Sequence, residues 1–267
     1  MATSFADHFR RIARRYPQMR SLDVRAVRRI ARELARLAPA RASGLRILDV
    51  GTGTGRYLHA VCRQLADRGV TIARAIGLDG SRHMLASLTP AAGEPGGHAH
   101  AVAAAAEALP LAAGEADAVL SFNALHHFAL DAFLAEAGRL LRPEGLLVLY
   151  TRTPEQNRAT IWGQHFAGFA ERETRLPTRD QLRYALERAR LFTRIRLRVA
   201  AWWQFTTLPA LIRQARARHY STFALYTPAE FHDALSGFRE RVRESCAYPW
   251  AIPVRNNHLV ALATRVL

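Results

Sequence analysis

Three glycines in five residues stand in Asp49-Val50-Gly51-Thr52-Gly53-Thr54-Gly55-Arg56, between the apolar run Leu45–Val50 and a helical pattern over Tyr57–Leu65. A strand that turns tightly into a helix lets a ligand approach backbone N–H groups at the helix start, where a side chain would block it. The dinucleotide fingerprint G-x-G-x-x-G needs glycine at position 56, where Arg56 stands, and a P-loop needs a Gly-Lys-Ser/Thr ending. Both phosphate cradles therefore fail. A G-x-G-x-G spacing after an acid suits a nucleoside with an amino-acid tail better than one carrying pyrophosphate. Asp79, in Gly77-Leu78-Asp79-Gly80-Ser81, ends the next apolar run and is placed to accept hydrogen bonds from both hydroxyls of a ribose. His126 and His127 follow a further apolar run, and imidazole titrates where a general base is useful near neutrality. A purely packing or hydrogen-bonding role for the pair is the competing reading. Neither His98-x-His100 nor His126-His127 has accompanying carboxylates at metal-ligand spacing, so no metal is expected.

The elements that position these groups alternate. Apolar runs at Leu45–Val50, Ile72–Leu78, Ala118–Phe122 and Leu146–Tyr150 are separated by helical patterns at Tyr57–Leu65, Ser81–Leu88 and Leu130–Leu141. That order predicts an α/β fold with a mostly parallel sheet covered on both faces. Before it, Val24, Val27, Ile30, Ala31, Leu34 and Leu37 recur at helical spacing between arginines. After it come a helical region from Glu155 and a helix over Arg179–Arg190. An alternating stretch Arg194–Val199 suits an edge strand, residues 208–246 are helical, and His258–Val266 is a last strand.

With 267 residues, 49% of them hydrophobic and 22% charged, the chain can bury a sizeable core. Cys62 and Cys246 form no disulfide framework or zinc site and fit a reducing cytoplasm. No apolar stretch is long enough to span a bilayer, and the charged first residues read as part of the fold, not as a secretory signal. All 38 basic residues are arginine, which gives a net charge of +16. Residues 1–41 hold eleven arginines against three acids and residues 172–218 hold twelve against three, so the remainder nets −1. GC-rich coding is the simpler source of this bias, and a polyanionic partner is the alternative.

Five ordered blocks, ILDVGTGTGR, GLDGSRHML, AAEALPL, DAVLSFNALHHF and RLLRPEGLLVLYTRT, resemble the class I S-adenosylmethionine-dependent methyltransferases over roughly residues 45–152. The likeness is to the broad group that includes ubiquinone/menaquinone C-methyltransferases and natural-product methyltransferases. It implies a Rossmann-like doubly wound sheet with an antiparallel last strand and a helical cap. The expected division is a lid over 1–44, a cofactor-binding core over 45–152, and a remainder over 153–267 with cap insertions at 155–177 and 208–246. The methionine part of S-adenosylmethionine would lie against Gly51, Gly53 and Gly55, with Asp49 ordering the loop. Asp79 and Gly80 would hold the ribose, Met84 would pack on adenine, Ala106 and Glu107 would meet its edge, and Asn123 would lie under the sulfonium. Alanine stands at position 105, where the family often has aspartate, so adenine recognition would rest on the backbone near Ala106.

Methyl transfer from a sulfonium is an in-line displacement that needs a positioned nucleophile, a dry pocket and, for some acceptors, a base. The resemblance favours His127 for that base, with His126 second and Tyr16 in the lid. Trp162, His165, Phe166 and Tyr220, in an aromatic-rich segment, are candidates for the acceptor wall. The expected acceptor is a small aromatic or lipophilic metabolite, methylated on C, N or O, in quinone-type or secondary metabolism. A nucleic-acid methyltransferase is the rival, motivated by the arginine flanks. Ser121-Phe122-Asn123-Ala124 lacks the Asn/Asp-Pro-Pro-aromatic block, and no RNA-binding module is recognisable. A cofactor-binding scaffold without turnover is the third reading, and the sequence leaves a homodimer open.

Overall fold

The computed structural model describes residues 5–41, 43–88, 99–246 and 248–267; His98 lies outside them. The chain forms two compact units from interleaved segments. One comprises Leu22–Thr151, Arg179–Arg198 and Leu259–Leu267; the other comprises the chain up to Ser21, Arg152–Thr178 and Val199–His258.

The chain forms a sheet of seven strands, β1 (Leu45–Val50), β2 (Ile72–Asp79), β3 (Ala99–Ala103), β4 (Ala116–Phe122), β5 (Leu141–Thr151), β6 (Phe192–Thr206) and β7 (Ile252–Arg265); β1 to β5 lie in the first unit, and β6 and β7 are divided between the two. Their order is β3-β2-β1-β4-β5-β7-β6. The pairs from β3 through β5 are parallel, and β5 pairs with β7 antiparallel. Every residue of β4 is buried, as expected of a central strand with both faces covered. Alternation sorts the side chains. Leu48, Val50, Val119, Leu147, Leu149, Leu259 and Ala261 join Phe133, Leu134, Leu182 and Leu186 of the helices Leu130–Leu140 and Arg179–Arg188 in one core.

In the same unit, Phe122 and Tyr150 meet Tyr57 of the helix Arg56–Ala66; the Tyr57 and Phe122 rings stack with centroids 4.4 Å apart. Asp23 is buried beside them and caps the helix Val24–Ala35 by accepting from Ala26 N at 2.9 Å. Its other oxygen accepts from the Tyr150 hydroxyl at 2.8 Å. The helix Val24–Ala35 is thus tied to the sheet, and it falls in the same compact unit as β1 to β5. The apolar stripe of that helix, Val27, Ile30, Ala31 and Leu34, is fully buried. At the other end of β4, Asp117 is buried and accepts from Arg41, from Arg142 and from the Arg46 N–H.

The second unit has its own core, in which Trp162, Phe166, Phe169, Phe223, Phe231 and Phe238 pack together. β6 lies at the sheet edge, as the alternation of arginine and apolar residues predicts. The short strand β3 escapes sequence reading because its alanines carry no visible period. No helix among the described residues is long and apolar enough to cross a membrane.

Replacing Asp23 by alanine removes a helix cap and strands a buried tyrosine hydroxyl, which should cost about 2–4 kcal/mol in urea unfolding. Asp23→Asn, which keeps the cap acceptor, should lose clearly less; equal losses would show that the cap contributes little and that the loss comes from the oxygen facing Tyr150.

Candidate active site

The strand order reverses between β1 and β4, and open α/β sheets bind ligands in the crevice at that switch point. Gly51, Gly53 and Gly55 all adopt left-handed backbone, with φ of 71°, 58° and 74°. At Gly51 space is as restrictive as conformation: a Cβ there would stand 2.3 Å from Ala124 Cβ and 2.9 Å from the Phe128 ring. The glycine backbone of the loop after β1 therefore packs directly against the side chains of Ala124 and Phe128 after β4. Gly51 N–H and Thr52 N–H both donate to Leu78 O, at 2.8 and 3.0 Å, which fastens the loop to the end of β2. Gly55 begins the helix Arg56–Ala66 without a side-chain cap, so the N–H groups of its first turn receive no acceptor from that residue.

Two carboxylates flank this loop. Asp79 accepts from Gly53 N–H and Ser81 N–H, each at 2.8 Å, one on each oxygen. Burial raises its pKa, and these two hydrogen bonds oppose the rise. Each oxygen retains a further acceptor site, which fits a ribose diol. Asp49 is fully buried; one oxygen accepts from the Thr52 hydroxyl at 2.7 Å, and the other, Oδ1, has no partner. Burial pushes its pKa to about 7, with the Thr52 hydrogen bond opposing and the charge of Asp79 adding to the rise. A buried acceptor without a donor is costly, and it suits the cationic amino group of an amino-acid tail. Thr54 Oγ1 and Ser121 Oγ are buried and equally unpartnered. Cys62, near Asp49, is no nucleophile, because burial and then the Asp49 charge push its thiol up to about 12.

The remaining expected residues divide by what they already do. Met84 is buried, and its Cε would stand 3.2 Å from a Cβ on Gly53, so the methionine borders the loop. Gly80 is exposed, Ala106 is buried, and Ala104 N–H donates to Asp79 O at 3.1 Å, which aligns the Ala104–Glu107 segment with the end of β2. Glu107 Oε1 accepts from Ala129 N–H at 2.7 Å at the start of the helix Leu130–Leu140, a structural employment the sequence did not reveal. Asn123 has a left-handed backbone, with φ of 53°, held by its N–H donating to Tyr150 O at 2.7 Å. Such strain in a non-glycine residue is common at ligand sites. His126 and His127 sit in the turn Leu125–His127, their ring centroids 4.1 Å apart.

Tyr16, Trp162, His165, Phe166 and Tyr220 belong to the other unit. Trp162 stacks on Phe238 and Phe166 is 1% exposed, so these two aromatics build the core and do not form an open wall. Tyr220 accepts from Arg152 Nη1 at 3.0 Å, and the Arg20 guanidinium lies 4.1 Å from its ring centre. The carbonyl of His165 accepts from Arg241, while burial and then that arginine's charge lower the imidazole pKa. Tyr16 lies in the short helix Tyr16–Met19, its ring 5.9 Å from the Arg20 guanidinium. Sequence reading missed Asp23, Thr52 and Thr54; of these only Thr52 left a signal, standing three residues after the loop acid.

Residues 48–149 match the family described as the methyltransferase domain. The chain is 34% identical over 151 residues to the ubiquinone/menaquinone biosynthesis C-methyltransferase of Rubrivivax gelatinosus, covering 55% of each protein. It is 32% identical over 115 residues to the ubiquinone biosynthesis O-methyltransferase of Brucella anthropi, covering 43% of this chain and 44% of the relative. The chain thus spans about half the length of these curated relatives. A solved structure from Anabaena variabilis, described as a methyltransferase of an antibiotic biosynthesis pathway, superposes with a TM-score of 0.60. Its sequence identity is 24%, with 88% of this chain and 96% of that one covered, and the likeness speaks to the fold.

The raised pKa of Asp49 makes a signed prediction. Between about pH 4 and pH 7 the folded protein holds a proton there that the unfolded chain has released, so unfolding free energy falls as pH rises through that window. Asp49→Asn, always neutral, should lack this part of the slope. Urea unfolding of both proteins at intervals between pH 4 and 8 measures it; parallel pH profiles would mean that Asp49 ionises normally.

Proposed function

We propose that this chain, a member of the class I S-adenosylmethionine-dependent methyltransferases by its residues 48–149, transfers a methyl group from S-adenosylmethionine to a small aromatic or lipophilic metabolite. The observation that carries the reading is the unpartnered, buried Oδ1 of Asp49 beside a glycine loop with no room for side chains, at the switch point of the sheet. When bound, S-adenosylmethionine supplies an electrophilic methyl carbon on a positively charged sulfur. Asp49 and the loop N–H groups would hold its amino-acid tail. Asp79, already oriented by Gly53 and Ser81, would take the ribose hydroxyls, and Met84 would offer an apolar surface to the adenine. These groups are in place beforehand, so little ordering cost falls on binding.

His127 or His126 would accept a proton from the acceptor as it is alkylated. The relatives named for ubiquinone biosynthesis support a lipophilic, quinone-like acceptor, and the neighbour assigned to antibiotic synthesis supports the wider class. The nucleic-acid reading loses part of its motive in the structure. Arg41 pairs with Asp117, Arg172 with Glu230, Arg175 with Glu173, Arg188 with Asp131 and Arg196 with Glu33. Five of the 23 arginines in the two flanks are therefore already engaged by carboxylates.

Calorimetry should show binding of S-adenosylmethionine and S-adenosylhomocysteine, weakened by about 1–3 kcal/mol in Asp79→Ala. Saturable NAD binding without a response to S-adenosylhomocysteine would sink the reading. With an identified acceptor, His127→Ala should lower turnover by roughly 10²–10⁴-fold while leaving cofactor affinity nearly unchanged. Unchanged turnover in both His127→Ala and His126→Ala would leave positioning and desolvation as the source of catalysis.

A further inference from the structure

One group of arginines outside any ion pair comes together at a single cavity. In the helical unit a cavity of about 220 Å³ is lined by Arg11, Arg15, Arg216, Arg218, His8 and Met19, with small apolar residues between them. Among the described residues no acidic side chain lines it, and no ion pair involves any of the four arginines. Arg218 is fixed in position. Its Nη1 donates to Phe223 O at 2.6 Å, its guanidinium lies 3.9 Å from the Phe231 ring centre, and its backbone is left-handed with φ of 48°. A strained arginine held at a cavity wall beside three like charges opposes folding unless something there repays the cost.

His8 gives a second, independent sign. Its side chain is 3% exposed, it lines the cavity, and its Nε2 has no hydrogen-bond partner. Burial, and then the charges of Arg218, Arg175 and Arg11, hold its pKa at about 4, so the ring is neutral near pH 7 and one nitrogen carries a donor proton. The same field acts on Arg218, whose pKa is lowered by burial and by the charge of Arg11. A ligand that satisfies both signs must be anionic and able to accept from several guanidinium forks and an imidazole at once.

We propose that this cavity binds the phosphate or diphosphate group of a small molecule, with Arg11, Arg15, Arg216 and Arg218 as charge partners and His8 Nε2 as a hydrogen-bond donor. Planar guanidinium forks match phosphate oxygens in pairs, and a single carboxylate carries too little charge to balance four of them. A nucleic-acid strand is the poorer fit, because it needs a groove that follows successive phosphates. The inference concerns the helical unit alone and stands whether or not the sheet unit transfers a methyl group.

The test is calorimetric titration of the full chain with inorganic pyrophosphate and, separately, inorganic phosphate, at fixed ionic strength. We expect saturable binding at one site, tighter for pyrophosphate. It should weaken at least tenfold in the double variant Arg11→Ala with Arg216→Ala, both exposed positions whose loss leaves the core intact. Arg74→Ala with Arg198→Ala, which removes the same charge from exposed positions in the sheet unit, should bind as the parent does. Arg15→Ala alone gives an independent variant, with an expected loss of several-fold. Absence of saturable binding, or equal weakening in the two double variants, would overturn the proposal. So would single-stranded RNA binding more tightly than pyrophosphate through the same arginines. S-adenosylhomocysteine titrated into the same variants reports on the sheet unit separately, so failure of one site is distinguishable from failure of the other.

Discussion

The site depends on a contact that no side chain could make. The loop after β1 lies directly on the loop after β4, and at Gly51 even a methyl group would collide with Ala124 and Phe128. With the Gly51 backbone packed on those side chains, N–H groups of the loop are anchored to Leu78 O and Asp79 without help from a ligand. The same closeness buries Asp49 at the foot of the loop, where it must share a small dry volume with the Thr52 hydroxyl. Its raised pKa is a consequence of that geometry, as is its readiness to receive a positive group.

Charge is distributed by function. The two carboxylates beside the glycine loop, Asp49 and Asp79, are what the proposed site for a cationic amino group and a ribose would call for. Positive charge is used elsewhere, in two ways. Some arginines close buried or half-buried carboxylates, with Asp117 held by Arg41 and Arg142 and Glu173 held by Arg175. Such pairs are needed once the acid is buried, because an unpaired buried carboxylate is expensive. Others line a concave wall in the helical unit, where no acid among the described residues answers them.

Interleaving of the two units has an energetic logic of its own. Each has a separate apolar core, one of aliphatic residues between sheet and helices and one of packed aromatic rings. The aromatic core explains why so many large rings fall in residues 155–238: a small helical unit gains stability fastest by burying rings of large area. The chain must cross between the units several times, so neither is a contiguous stretch of sequence. Elements close in sequence, such as the helix Val24–Ala35 and the helix Phe5–Ile12, consequently fall in different units.

What the sequence determined by itself is what local chemistry enforces. The βαβ order, the glycine loop, the acid ending β2 and the arginine-laced edge strand follow from period, spacing and backbone freedom, and all stand in the structure. Alanine has no period to read, so β3 was silent. Only tertiary structure decided which unit each segment joins, because an amphipathic helix announces its apolar face but not the partner that face will meet. The network of Asp23 with Tyr150, 127 positions apart, was invisible for the same reason. So were the employment of Glu107 on Ala129 and the burial of Trp162 and Phe166. Arginine is the clearest case: its charge is fixed by composition, yet whether it closes a buried acid or faces a cavity depends on distances that exist only after the chain has folded.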